Sequence, residues 1–346
     1  MEITLRQVKL VFAIVCGLVL GSTVGIRAER KIQIDLQPTL GYHSGKTSYE
    51  FLLTQTPSDT VHIYAVQSKL EFPTDATLIG ANFRIRPLSD LRKWNLRGSI
   101  FTNVTDPKKV MTDSDWESAS GTSGLELFSY TESGVQMSMI NVDVNFSARL
   151  FRIGSGGASL LAGVQFERIN QDIIGFSGWY KSFDSSTYSF RSTLLPQSGS
   201  GTVLTYRLTR FEPYGGVQLY AEPSSKFEGE LNLAAGPVRF TDRDDHLLRH
   251  KLSTADGNGL GLLGSIRGDI LLTRGRKYNY LLALSAKFEH ASITGTQQQT
   301  WYADETVIVA PGDTVVYAAK GTTIGGLPHD LKYDFIALGV MFGIRF

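Results

Sequence analysis

Two acidic clusters carry residue types that activate water. One is Met111-Thr112-Asp113-Ser114-Asp115-Trp116 and the other Thr241-Asp242-Arg243-Asp244-Asp245-His246. Alternate side chains of an extended strand share a face. A spacing of two therefore puts Asp113 beside Asp115, and sets Asp242, Asp244 and His246 in one row, if a strand runs through each cluster. A carboxylate beside an imidazole orients the ring and raises its basicity, which suits it to take a proton from water. Two adjacent carboxylates share a proton or hold the same water. The set describes a hydrolytic site that needs no metal, provided the chain brings the clusters together. Taken singly, each cluster reads first as a solvated loop or a turn former, and only the pairing on one rim favours chemistry.

Only certain elements could bring them together. The 346 residues hold 35 Gly and 11% aromatics, a composition of strands and turns. In the C-terminal stretch the even positions Ile336, Leu338, Val340, Phe342, Ile344 and Phe346 are large and apolar. The odd positions Ala337, Gly339, Met341, Gly343 and Arg345 are mostly small or polar. A strand with lipid on one side and a crowded lumen on the other requires this alternation. Similar alternation marks 94–100, 142–149 and 227–233.

Breaks at Gly, Pro, Asp and Ser clusters delimit ten strands, at 32–54, 61–86, 94–112, 134–151, 158–182, 201–220, 226–243, 259–273, 278–303 and 332–346. The connections alternate between short (152–157, 222–225, 274–277) and long polar ones (113–133, 183–200, 244–258, 304–331). Outer-membrane barrels sort their turns and loops this way. The expected fold is all-β: a ten-stranded antiparallel transmembrane β-barrel. Its strands exceed the ~9–11 residues that cross a bilayer, so the barrel should extend beyond the outer membrane. Both clusters then fall at one end, after the third and seventh strands, facing each other across the lumen.

The remaining composition narrows the class further. Lys+Arg is 34 against Asp+Glu 33, for a formal charge of +1, so there is no basic excess to neutralise a nucleic acid. The one cysteine, Cys16, excludes a disulfide scaffold or a cysteine metal cage. It lies in a leader of charged residues, an apolar stretch from Leu10 to Ile26 and a small-residue site near Ala28. Residues 1–28 are read as a signal peptide and 29–346 as one barrel domain. The Gly259–Gly264 fingerprint opens a strand, not a helix, so it is not a dinucleotide site. His43, His62, His250, His290 and His329 lack ligand spacing and read as wall or loop residues.

The two clusters, with Ser44-Gly45-Lys46-Thr47 in the first strand and Pro213-Tyr214 in the sixth, make the chain resemble the omptin family from about residue 36 to 346. Omptins are ten-stranded outer-membrane endopeptidases of Gram-negative bacteria. The resemblance implies hydrolysis of peptide bonds, often beside basic residues, at the cell exterior. It makes Asp113, Asp115, Asp244 and His246 catalytic: His246 as base, Asp244 as its partner, and the Asp pair binding the water. Asp242 matches a family acid near basic substrate side chains. Tyr49 stands where the family has a pocket Glu, with Glu50 one residue off. Arg168 matches a contact to lipopolysaccharide phosphates; a second such contact falls at Thr209, with Arg207 nearby. Polypeptide substrates, outer-membrane lipid and a monomeric state are implied, with no cofactor; whether lipopolysaccharide acts as an activator stays open. Two other readings stay open at this point: a non-enzymatic barrel (porin or adhesin) on the same scaffold, and a secreted soluble sandwich.

Overall fold

The computed structural model describes residues 32–346 apart from 55–62, 89, 91–92, 120–123, 185–188, 275–278 and 311–312. The expected signal segment 1–28 lies outside the described residues. In chain order the strands are β1 (Ile32–Thr54), β2 (Ile63–Pro73), β3 (Ala76–Pro87), β4 (Trp94–Asn103), β5 (Met111–Ala119), β6 (Glu126–Ile153) and β7 (Gly156–Asp184). They continue as β8 (Ser189–Ser224), β9 (Phe227–His246), β10 (Lys251–Arg274), β11 (Asn279–Trp301), β12 (Glu305–Ala310), β13 (Asp313–Ala318) and β14 (Thr323–Arg345).

The sheet closes on itself because β1 pairs antiparallel with β14, from Asp35 opposite Arg345 to Glu50 opposite Asp330. At one end the ring reads β1-β3-β4-β6-β7-β8-β9-β10-β11-β14; at the other, β2 and β5 replace β3 and β4 between β1 and β6. Every cross-section therefore has ten strands, two of which are interrupted: β2 from β3 at Thr74-Asp75, and β4 from β5 at 104–110. The expected single strands 61–86 and 94–112 are each split in this way. β12 and β13 form a hairpin of their own.

The side chains are sorted inversely to a soluble protein. Leu338 is 56% exposed and Phe342 61%, while Arg84 is 2% exposed and Asp35 0%. An apolar outer belt faces lipid, and charge is hidden in the lumen. Buried charge must be paired. Arg84 Nη2 lies 2.6 Å from Asp35 Oδ2 and its Nη1 2.8 Å from Asp269 Oδ2, and Arg345 Nε reaches Asp35 Oδ1 at 2.9 Å.

The near-end turns are short. β6 reverses into β7 between Ile153 and Gly156, where Gly154 adopts φ +58°, a left-handed conformation that glycine takes without steric cost. At the far end the strands outrun the belt. Much of the expected loops is strand: β5 runs to Ala119, β6 starts at Glu126, β8 at Ser189 and β14 at Thr323. The segment 244–258 is a hairpin whose turn is the 3-10 segment Leu247–Arg249. Above the lipid both faces of a strand are wet, so hydrophobic alternation fades although the ladder continues.

Candidate active site

Because β5 and β9 run through the two clusters, the spacing of two takes effect. On the inner wall Asp113 stands opposite Leu70 of β2, and Leu70 opposite Tyr49 of β1; Asp115 stands opposite Ser68. On β9, Asp244 stands opposite Tyr206 of β8 and Ser253 of β10, and His246 opposite Lys251. β5 and β9 are four places apart around the ring, as are β1 and β9 by the other route. The lumen is crossed directly: the Tyr49 hydroxyl donates to Asp244 Oδ2.

Asp244 Oδ2 lies 3.0 Å from His246 Nε2, with the Asp244 side chain 1% and that of His246 14% exposed. With Nε2–H donating to the carboxylate, Nδ1 is left as the basic nitrogen. Burial pushes the Asp244 carboxyl up, but the His246 charge, the hydrogen bonds from His246 and Tyr49, and Lys251 outweigh it, so it lies below the ordinary carboxylate range. Burial pushes the His246 imidazole down despite Asp244, with Lys251 and Arg249 adding to the effect. The dyad therefore rests as carboxylate and neutral imidazole, the state a general base needs.

The Asp pair behaves differently. Burial raises Asp113 well above the carboxylate range, and the neighbouring Asp115 charge raises it further. Burial also raises Asp115, against a hydrogen bond from Ser68 and the charges of Arg249, Lys251 and His246. Both carboxyls are thus pushed toward the protonated form. Asp244 is among the charges acting on Asp113, and His246 among those acting on Asp115, so the clusters are in electrostatic contact. Among the described residues, neither Asp113 Oδ1 nor Asp244 Oδ1, both buried, has a hydrogen-bond partner. Both keep acceptor capacity. Lys251, 5% exposed, is held down to about 8 by burial, with Arg249 next.

Other expected residues sit elsewhere. Asp242 is on the same inner row as Asp244 but deeper, its side chain 1% exposed and 2.9 Å from His329 Nε2. Glu50 is not in the lumen. Inner and outer positions alternate, Tyr49 takes the inner one, and no bulge shifts β1 there, so Glu50 faces outward and accepts from Gln67 Nε2 at 2.5 Å. Arg168 and Arg207 are exposed on the outer wall, where Arg207 stands opposite Arg243. Arg239 on β9 is exposed as well, opposite Phe211 of β8, and Phe166, Phe211 and Leu233 are exposed on the same wall. Sequence reasoning missed Tyr49, His329 and Lys251 as parts of the site. A signal existed for His329: the inward odd parity of the C-terminal strand, carried back from Met341, places it in the lumen.

No family model matches the sequence, and no curated protein matches it. Solved structures do match. The outer membrane protease OmpT from Escherichia coli superposes with a TM-score of 0.66 at 16% identity, covering 91% of this chain and 96% of that one. The barrel has the OmpT fold. Other outer-membrane barrels align far more loosely. OprG from Pseudomonas aeruginosa reaches a TM-score of 0.33 at 8% identity over 93% of this chain and 99% of its own. The translocator domain of NalP from Neisseria meningitidis reaches 0.25 at 9%, over 96% and 97%. The OmpT likeness extends over nearly the whole of both chains.

Proposed function

We propose that this chain is an outer-membrane endopeptidase with its active site at the exterior rim. The observation that carries the reading is the Asp244–His246 dyad in electrostatic contact with the Asp113–Asp115 pair, on opposite walls of one lumen. A water held between the two pairs gives a proton to His246 Nδ1, and its oxygen bonds to the carbonyl carbon of the substrate. The oxyanion that forms is met by the proton shared within the Asp pair and by the Lys251 ammonium. As the C–N bond breaks, His246 returns the proton to the leaving nitrogen. Neither a cofactor nor a metal has a part in this scheme, and the chain acts as a monomer. Lipopolysaccharide phosphates fit the exposed Arg168 and Arg207 of the outer wall.

The rival reading as a porin loses support from the lumen, which ion pairs around Arg84 fill at one level and stacked rings at another. The deciding experiment is cleavage of fluorogenic peptides by the purified protein in lipopolysaccharide, beside Asp113→Ala and His246→Ala. Turnover in the wild type that drops at least a hundredfold in both variants supports the reading; equal hydrolysis by all three ends it.

A further inference from the structure

On the wall that carries the dyad, β8 outreaches its neighbour. β9 ends at His246, opposite Leu204 of β8, and the chain turns back through Leu247–Arg249 to Lys251. β8 extends above that point, paired on its other side with β7: Leu194 stands opposite Lys181, Pro196 opposite Trp179 and Thr202 opposite Ile174. From Leu194 to Thr202 the edge that β9 covers lower down meets no strand and no backbone hydrogen bond among the described residues. Leu194, Ser198 and Thr202 are exposed. Successive residues of an antiparallel ladder turn their N–H and C=O groups to opposite sides, so about half of this stretch offers both groups to the open side.

The ribbon that bears the edge is braced. β6 backs β7 at the same height, where Ser129 stands opposite Tyr180, Phe128 stacks on Phe190 at 5.3 Å and Lys181 Nζ lies 2.7 Å from Glu126 Oε1. Register shifts in the β7–β8 ladder between Ile173 and Phe176, with Gly201 at φ +79°, bend β8 just above the dyad. Open strand edges pair with other chains, and proteins blunt them with charges, prolines or a covering segment. Between Ser192 and Val203 this edge has no charged residue and one proline, Pro196. It is built to be paired.

A strand added to β8 above Leu204 takes up the line of β9 and arrives end-on at His246. We propose that the open edge of β8 receives the polypeptide substrate as an added strand, held by main-chain hydrogen bonds and not by particular side chains. The inference rests on the endopeptidase reading and names its substrate class: extended, unstructured segments. Antiparallel pairing is the more stable kind. β8 descends toward the dyad, so an antiparallel guest ascends from it, and the docked residues are those that follow the cut bond.

The test has two arms, both with the full-length protein in lipopolysaccharide micelles. In the first, fluorogenic peptides whose cut bond is mapped by mass spectrometry are lengthened on either side of it and N-methylated at single positions. Lengthening after the cut bond should raise kcat/KM about tenfold, and lengthening before it should change little. N-methylation after the cut bond should lower kcat/KM about tenfold at every second position and little in between, since only alternate amides reach β8. In the second arm, fluorescence anisotropy follows a dye-labelled peptide of Thr, Val, Gln and Lys, long enough to span the open edge, on the His246→Ala protein, so that binding is read without turnover. N-methylation should weaken its affinity with the same alternation. His246-dependent cleavage that ignores both length and N-methylation would overturn this inference and leave the peptidase intact. Alternating affinity with no cleavage by the wild type would overturn the peptidase and leave β8 as a peptide-binding edge. Neither binding nor cleavage would overturn both. A dimer in sedimentation that peptide does not dissociate would give the edge to a second copy of the chain and overturn the substrate's place on it.

Discussion

Asp244 Oδ2 receives two donors, His246 Nε2–H and the Tyr49 hydroxyl, and their balance sets how much carboxylate charge bears on the imidazole. Burial holds the imidazole below its ordinary value of 6.5, so its neutral form persists into mildly acidic solution. The rate should be level near pH 7 and fall as pH drops through a midpoint below 6.5; a fall centred above 7, or a flat profile from 4 to 8, contradicts His246 as base. Asp244→Asn removes the ionic partner and the acceptor that fixes the tautomer, and kcat should fall about 10²–10⁴-fold. Tyr49→Phe is subtler. Without the phenol, more of the carboxylate charge bears on His246 Nε2, which favours imidazolium, so the acid limb of the profile should move up while kcat drops about tenfold, in keeping with ~1–3 kcal/mol for a lost buried donor. A merely structural tyrosine would lower the yield of folded protein and leave that limb where it was.

β9 and β10 hold the dyad at a sharp reversal, and the reversal is anchored from outside. His246 directly precedes the 3-10 turn Leu247–Arg249, and His250 ends it in a left-handed conformation at φ 51°. Arg249 Nε binds Glu305 Oε1 at 2.6 Å, Trp301 Nε1 donates to the other Glu305 oxygen at 2.5 Å, and the Tyr302 amide donates to the His250 carbonyl at 2.9 Å. Glu305→Ala cuts two of these ties without touching the ladder. It should lower kcat about tenfold while leaving the thermal midpoint of the barrel within a few degrees, because positioning is lost and the sheet is not; unchanged kcat would show that the turn holds itself. Much of this arrangement was legible in the sequence. β1 runs 32–54 as read, and the spacing of two in each cluster needed only a continuous strand to become a shared face. The rims were not legible as strand, since polar residues on both faces erase the alternation and Gly and Ser clusters imitate breaks. The Tyr49–Asp244 bond was hidden for another reason: periodicity assigns a residue to a face, but says nothing of which residue on the opposite wall, 195 positions away, it will meet.

The barrel as a whole keeps the charges of the rim and the ion pairs of the deep lumen at separate levels. The dyad and the Asp pair occupy the rim. Near the other end of the lumen, Arg84 faces Asp35, Asp269, Glu228 and Glu230 at 2.6 to 3.7 Å, and Arg345 adds to the group at Asp35 and Glu228. With no large apolar core at that level, these pairs fill the space and tie β1, β3, β9, β10 and β14 across the lumen. Taking one partner from a buried network leaves the others desolvated and uncompensated, at a cost of about 3–5 kcal/mol, whereas replacing both partners by apolar groups is often near neutral. Arg84→Met should therefore lower the temperature at which the folded band is lost in heat-modifiable electrophoresis, and Arg84→Met with Asp35→Leu should recover part of the loss. Below that temperature both variants should cleave peptide at wild-type rates, since neither residue touches the rim. A stable Arg84→Met would mean that the lumen hydrates the freed carboxylates; a folded but inactive one would mean that the two levels are coupled through the wall.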